Sequence, residues 1–146
     1  MPSINTRLRS VQYIGPPNMD PILELSPTEK TPAVTIDPGR GLFVITGCSI
    51  PENADRFYGP IQDMAERYVL APVPTTTLHV ELTYFNSSSS KYLLDLMKLL
   101  ADLNASGRSS VVLEWWYAKG DLDMKEAGED YRSLLDMPVK LKARDM

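Results

Sequence analysis

The sequence predicts a single-domain α/β sandwich, a mixed β-sheet carrying helices. Three observations lead there. Segments of period-two hydrophobicity alternate with segments of helical periodicity along most of the chain. The alternation begins with two strands joined by a tight turn, and its later strands are separated by helices, which argues for at least some parallel pairing reached through crossovers. Finally, 146 residues with 43% apolar and 23% charged side chains suit one ordinary domain with a real core.

The elements follow in order. Residues 1–21 hold Pro2, Gly15, Pro16, Pro17 and Pro21 with little periodicity, and are expected to be an extension preceding a folded unit at 22–146. From "ILEL" onward the pattern tightens. Ala33 to Ile36 and Leu42 to Thr46 are short strands, and "DPGRG" between them supplies the turn of a hairpin. Next, Phe57, Ile61, Met64, Ala65 and Tyr68 recur at helical spacing, with Asp55, Arg56, Asp63, Glu66 and Arg67 on the other side. Gly59 and Pro60 must sit in the first turns of this helix or interrupt it.

"TTTLHVELTYF" is a strand by alternation, with Leu78, Val80, Leu82 and Tyr84 expected on one face and Thr77, His79, Glu81, Thr83 and Phe85 on the other. After four serines, the leucines from Leu93 to Leu103 form a helix with a very wide apolar face, expected to pack on more than one side and to end at Asn104 to Gly107. "SSVVLEWWYA" is a strand whose Trp115 and Trp116 must point to opposite faces, one the core and the other a candidate partner surface. "DMKEAGEDYRSLL" is a short helix, and "MPVKLKA" is a last strand.

Composition narrows the function. A net charge of −4 and a pI near 5.0 argue against a dedicated nucleic-acid binder. One cysteine, Cys48, and one histidine, His79, exclude an internal disulfide and a Cys/His zinc site, and no cofactor or metal is expected. Cys48 is expected to be a small buried residue, and His79 a satisfied histidine on the sheet surface. No window has the length of a membrane span and no apolar leader opens the chain, so the cytoplasm is the expected compartment, without membrane insertion.

The feature that calls for a function is "NSSSSK", Asn86 to Lys91, where a strand passes into a helix. A helix N-terminus needs one Asn or Ser as its cap; this sequence supplies five such residues in a row. Such a position also suits phosphate, since the free N–H groups and helix dipole favour negative charge there. The phosphate is either bound as a ligand or attached to a serine. A P-loop is absent, because no glycine stands between Asn86 and Lys91. A Ser/His hydrolase is rejected: along a straight strand at roughly 3.3 Å per residue, His79 lies about 26 Å from Ser87. The acidic residues Asp121, Asp123, Glu126, Glu129 and Asp130 make a solvated helix face that shares a rim with Ser87 if the two preceding strands are parallel.

Three blocks, "GCSIPENADRFYGPIQDMAERY", "LTYFNSSSSKYLLDLMKLL" and "VVLEWWYAKGDLDMKEAGEDYRSLL", resemble in that order the SiaC family of bacterial regulatory phosphoproteins. The resemblance runs from about Leu23 to Leu141 and implies a STAS-like fold related to anti-sigma-factor antagonists. It implies that Ser87, directly after Asn86, is the phosphorylated hydroxyl, where the family typically has Thr. It also implies a cognate Ser/Thr kinase, a metal-dependent Ser/Thr phosphatase, and a diguanylate cyclase that the unphosphorylated form binds and activates. Such a protein has no catalytic residues. The partner surface would be Asn86, Ser87, Ser88, Lys91 and Tyr92 with Ser49, Pro51, Glu52 and Asn53 of the "SIPEN" loop. Cys48 and Leu122 depart from the family pattern. The alternative from another class is a phosphometabolite-binding enzyme that uses the helix start at Asn86 to Lys91.

Overall fold

The computed structural model describes residues 20–145, so nearly all of the expected N-terminal extension lies outside the described residues. The elements are β1 (Leu23–Leu25), β2 (Ala33–Asp37), β3 (Leu42–Ser49), α1 (Ala54–Tyr68), β4 (Thr75–Phe85), α2 (Ser87–Ser106), β5 (Ser110–Ala118), α3 (Leu122–Leu134) and β6 (Val139–Arg144). The strands form one six-stranded sheet in sequential order. β1, β2 and β3 pair antiparallel, whereas β3 to β6 are parallel, each parallel step bridged by a helix. The predicted mixed α/β sheet is therefore present.

Register explains the core. Leu25, Val34, Ile45, Val80, Trp115 and Leu141 form one row across all the strands, and Leu23, Ile36, Phe43, Leu78, Leu113 and Val139 form the next. On the four central strands these side chains are at most 1% exposed. Each such burial contributes about 1.5–3 kcal/mol. Tyr58, Ile61, Met64, Ala65 and Tyr68 of α1 cover these rows together with Leu93, Leu96, Met97, Leu100 and Leu103 of α2. The wide apolar stripe of α2 is used up as expected, against α1 on one side and β5 on another, and the helix stops at Gly107 in the left-handed conformation. α3 approaches closely enough that a Cβ on Gly128 would lie 2.3 Å from Cδ1 of Trp115.

The opposite sheet face carries a half-buried charged network. Glu81 pairs with Arg144 at 3.1 Å and with His79 at 3.2 Å, while Glu114 pairs with Lys142 at 3.6 Å. Trp116 stacks on His79 and lies under the Lys142 and Arg144 cations. His79 is thus the satisfied surface histidine expected, and the two tryptophans do point to opposite faces.

Two expectations need correction. Tyr84 is 58% exposed instead of facing the core, and Phe85 packs on Trp115 and Tyr131. The cause is a bulge: Gly47 pairs with Leu82 but Cys48 pairs with Tyr84, so Thr83 is an extra residue that inverts the alternation after it. The Thr83 hydroxyl binds the Gly47 carbonyl at 3.2 Å. As expected, Gly59 and Pro60 lie within the first two turns of α1, and the helix runs through them. Pro60 removes a donor to the carbonyl of Arg56, and both residues face solvent, where water replaces the lost bond. The second correction concerns Cys48, which is half-buried because it sits beside the bulge at the end of an inner strand.

Candidate functional site

Because β3, β4 and β5 are parallel and each is followed by a helix, all three helix N-termini gather at the carboxyl edge of the sheet. Each is capped by a side chain: Asn53 accepts from the Arg56 N–H at 3.0 Å, Asn86 from the Ser89 N–H at 2.9 Å, and Asp121 from the Met124 N–H at 3.0 Å. α1 and α3 also carry a carboxylate in their first turn, Asp55 and Asp123, but α2 carries none. The positive end of α2 is the one left without a compensating negative charge.

The serine run divides its hydroxyls among four environments, since each residue turns by about 100° along a helix. Ser89 is fully buried; it donates to the Ser49 carbonyl at 3.0 Å and bonds the Ser49 hydroxyl at 2.8 Å. The Ser49 hydroxyl in turn meets the Tyr58 hydroxyl at 2.5 Å, and the Ser49 carbonyl also accepts the Asn86 N–H at 3.1 Å. Ser90 bonds Tyr131 of α3 at 3.1 Å. Ser88 is exposed and donates back to the Asn86 side chain at 3.1 Å. The Ser87 hydroxyl is exposed and makes no hydrogen bond to the protein among the described residues. Two serines therefore tie α2 to its neighbours, while the first stands free at the helix start.

Burial shapes the chemistry nearby. It pushes the Tyr58 phenol up from its ordinary pKa, partly offset by the bonds from Ser49 and Ser89, and does the same to Tyr131 against the bond from Ser90. Both rings remain neutral at ordinary pH and act as anchors. Tyr92 stacks on Tyr58 with ring centroids 5.4 Å apart, fixing the first turns of α2 against α1. In the "SIPEN" loop, the hydrogen bond and charge of Lys30 hold Glu52 below the usual carboxylate range.

Among the residues expected at a partner surface, Ser87, Ser88, Lys91, Glu52 and Asn53 are exposed, and Asn86 and Tyr92 are half-buried. Ser49 and Pro51 are buried, so neither presents its side chain outward. Ser49 is instead the inner hub to which α2 is fastened. Tyr58 and Tyr131 were not singled out in the sequence, where the apolar stripe of the first helix was assigned to Phe57, Ile61, Met64, Ala65 and Tyr68. Of the acidic set, Asp121 and Asp123 share the rim with Ser87, whereas Glu126, Glu129 and Asp130 run along α3 away from it. Asp121 caps α3, while Asp123, Glu126, Glu129 and Asp130 are solvated, and no group of side chains suited to a metal ion occurs among the described residues. No helix there is long and apolar enough to cross a membrane.

Comparison with known proteins matches this architecture. The model of the SiaC family of regulatory phosphoproteins matches residues 25–144. An uncharacterized protein of Pseudomonas aeruginosa (strain UCBPP-PA14) is 31% identical over 123 residues, covering 84% of this chain and 97% of the relative. The solved structure of SiaC of Pseudomonas aeruginosa superposes with a TM-score of 0.79 at 30% identity, covering 86% of this chain and 100% of that one. A similar fit, with a TM-score of 0.79, 30% identity and coverage of 84% and 99%, is found to a crystal structure of the diguanylate cyclase SiaD in complex with its activator SiaC from the same organism. With the family model, a relative and the fold in agreement over most of the chain's length, the chain belongs to the SiaC family of regulatory phosphoproteins.

Proposed function

We propose that this chain is a non-catalytic switch of the bacterial cytoplasm: a Ser/Thr kinase phosphorylates Ser87, a metal-dependent phosphatase reverses it, and the unphosphorylated form binds and activates a diguanylate cyclase. The observation that carries this reading is the isolation of Ser87, an exposed and unengaged hydroxyl at the one helix start of the three that lacks a first-turn carboxylate. A phosphate there adds about 1.5–2 negative charges at the positive end of α2, where free N–H groups and Lys91 accept it. Nearby Ser88 and Asn86 retain the cap, so the fold tolerates either state.

The docking logic rests on the same exposed edge. A partner covering Ser87 would have to strip water from a dianion once the serine is phosphorylated, and the acidic rim of α3 offers no compensation. A penalty of a few kcal/mol weakens binding by roughly a hundredfold or more. That a related SiaC is an activator seen in complex with a diguanylate cyclase supports this choice of partner. The phosphometabolite enzyme is disfavoured, because the groove beside α2 is lined by Asp55, Asp63, Glu66, Asp95 and Asp102, which repel phosphate.

Two measurements test the proposal. Intact mass of the protein purified from its host should show one added phosphate that Ser87→Ala removes. Calorimetry against the cognate cyclase should show tight binding of the unmodified protein and loss on phosphorylation. Equal affinities of the two forms would end the switch reading even with Ser87 modified.

A further inference from the structure

α1 and α2 both run from the Ser87 edge of the sheet to the opposite edge, and a groove of about 550 Å³ lies between them. Asp55, Asp63 and Glu66 of α1 and Asp95 and Asp102 of α2 line it, with Lys98 as its one cation among the described residues, over Gly59, Tyr92 and Leu99. Its net charge of −4 equals that of the whole chain, so the rest of the sequence balances to zero. None of these five carboxylates takes part in an ion pair among the described residues, whereas Glu81 and Glu114 on the other sheet face are paired. The groove is a concentrated, uncompensated negative surface.

The complementary charge lies in the chain itself. Residues 1–19 include Arg7 and Arg9, no Asp or Glu, and the apolar residues Leu8, Val11, Tyr13 and Ile14. We propose that this N-terminal segment docks into the α1–α2 groove of its own domain, its arginines meeting the carboxylates. Topology puts the segment at the correct end. β1 runs parallel to β3 and enters at Leu23, level with Phe43, the sheet edge to which Glu66 and Asp102 descend. Arg9 precedes Asp20 by eleven residues, a reach of up to about 36 Å. From β1 to the groove above β4 is about 14 Å across three strand spacings and roughly one helix diameter upward.

Intramolecular attachment makes such a weak ionic contact effective, since the tether holds the segment at a local concentration of about millimolar. The groove's upper end, at Tyr92, lies about one turn below Ser88 on the same stripe of α2. The docking itself does not depend on phosphorylation.

The test uses the full chain with Cys48→Ser and Ser10→Cys, a nitroxide label at position 10, and paramagnetic broadening of backbone amide signals. Broadening should be strongest at Gln62, Asp63, Glu66, Lys98 and Asp102 and weak at His79 and Trp116 on the other face. It should fall several-fold in Arg7→Glu/Arg9→Glu, in Asp63→Lys/Glu66→Lys, and in about 0.5 M salt, where the screening length is only a few ångströms. Uniform or absent broadening, or a maximum on the open sheet face, would overturn the proposal, as would broadening that survives charge reversal. Broadening transferred to unlabelled molecules in a mixed sample would assign the segment to a second copy and refute docking in cis.

Discussion

Replacing Ser89 by alanine should lower stability by about 1–2 kcal/mol, although alanine is the better helix former. Ser89 is completely buried and makes two hydroxyl bonds, to the Ser49 carbonyl at 3.0 Å and the Ser49 hydroxyl at 2.8 Å. Each contributes about 1 kcal/mol net. Their partners are not left orphaned, because the Ser49 carbonyl keeps the Asn86 N–H and the Ser49 hydroxyl keeps Tyr58. The loss therefore stays well below the several kcal/mol of a stranded polar network. Alanine's propensity returns only about half a kcal/mol in the first turn. Ser87→Ala, at an exposed and unengaged hydroxyl, should change stability by no more than about 0.5 kcal/mol. Urea denaturation read by the fluorescence of the two tryptophans gives both values, provided the denaturant slope is unchanged. If Ser87→Ala proved the more damaging of the pair, the division of labour within the serine run would be wrong, and with it the reason for assigning Ser87 to signalling.

Gly128→Ala places a Cβ 2.3 Å from the fully buried Trp115 ring and 2.7 Å from Leu141, so α3 must shift; the expected cost is about 1–3 kcal/mol, seen as a lowered melting temperature. Tyr58 and Tyr131 have folded-state pKa values raised by burial, so above pH about 10 the unfolded chain ionises first and binds fewer protons. Stability should hold below that pH and fall above it, and Tyr58→Phe should make the fall shallower in alkaline urea titrations. Ser87→Glu supplies about one charge and fewer acceptors than phosphate. It should weaken cyclase binding only in part, and calorimetry would find its affinity between those of the unmodified and phosphorylated proteins.

The sequence by itself determined the order of elements and the mixed sheet, and it marked the serine run as the feature to examine. Those features are encoded locally: period two in "TTTLHVEL", helical spacing from Leu93 to Leu103, and an Asn cap with a Gly stop around α2. Such signals act over one or two turns of chain, where the backbone's own geometry sets the period. Tertiary structure alone decided what each hydroxyl does. Four identical side chains in a row cannot be told apart by type; Ser89 is claimed by Ser49, forty residues away, and Ser90 by Tyr131, forty-one away, leaving Ser87 free. The same holds for Tyr84 and Phe85, whose faces were exchanged by a bulge that only the pairing of β3 with β4 creates. The acidic groove likewise exists only because the packing of α1 on α2 joins two solvated faces that looked unremarkable in the chain. A local pattern sets which face a residue takes, but only the partner across the fold sets whether a polar group is held or left free to react.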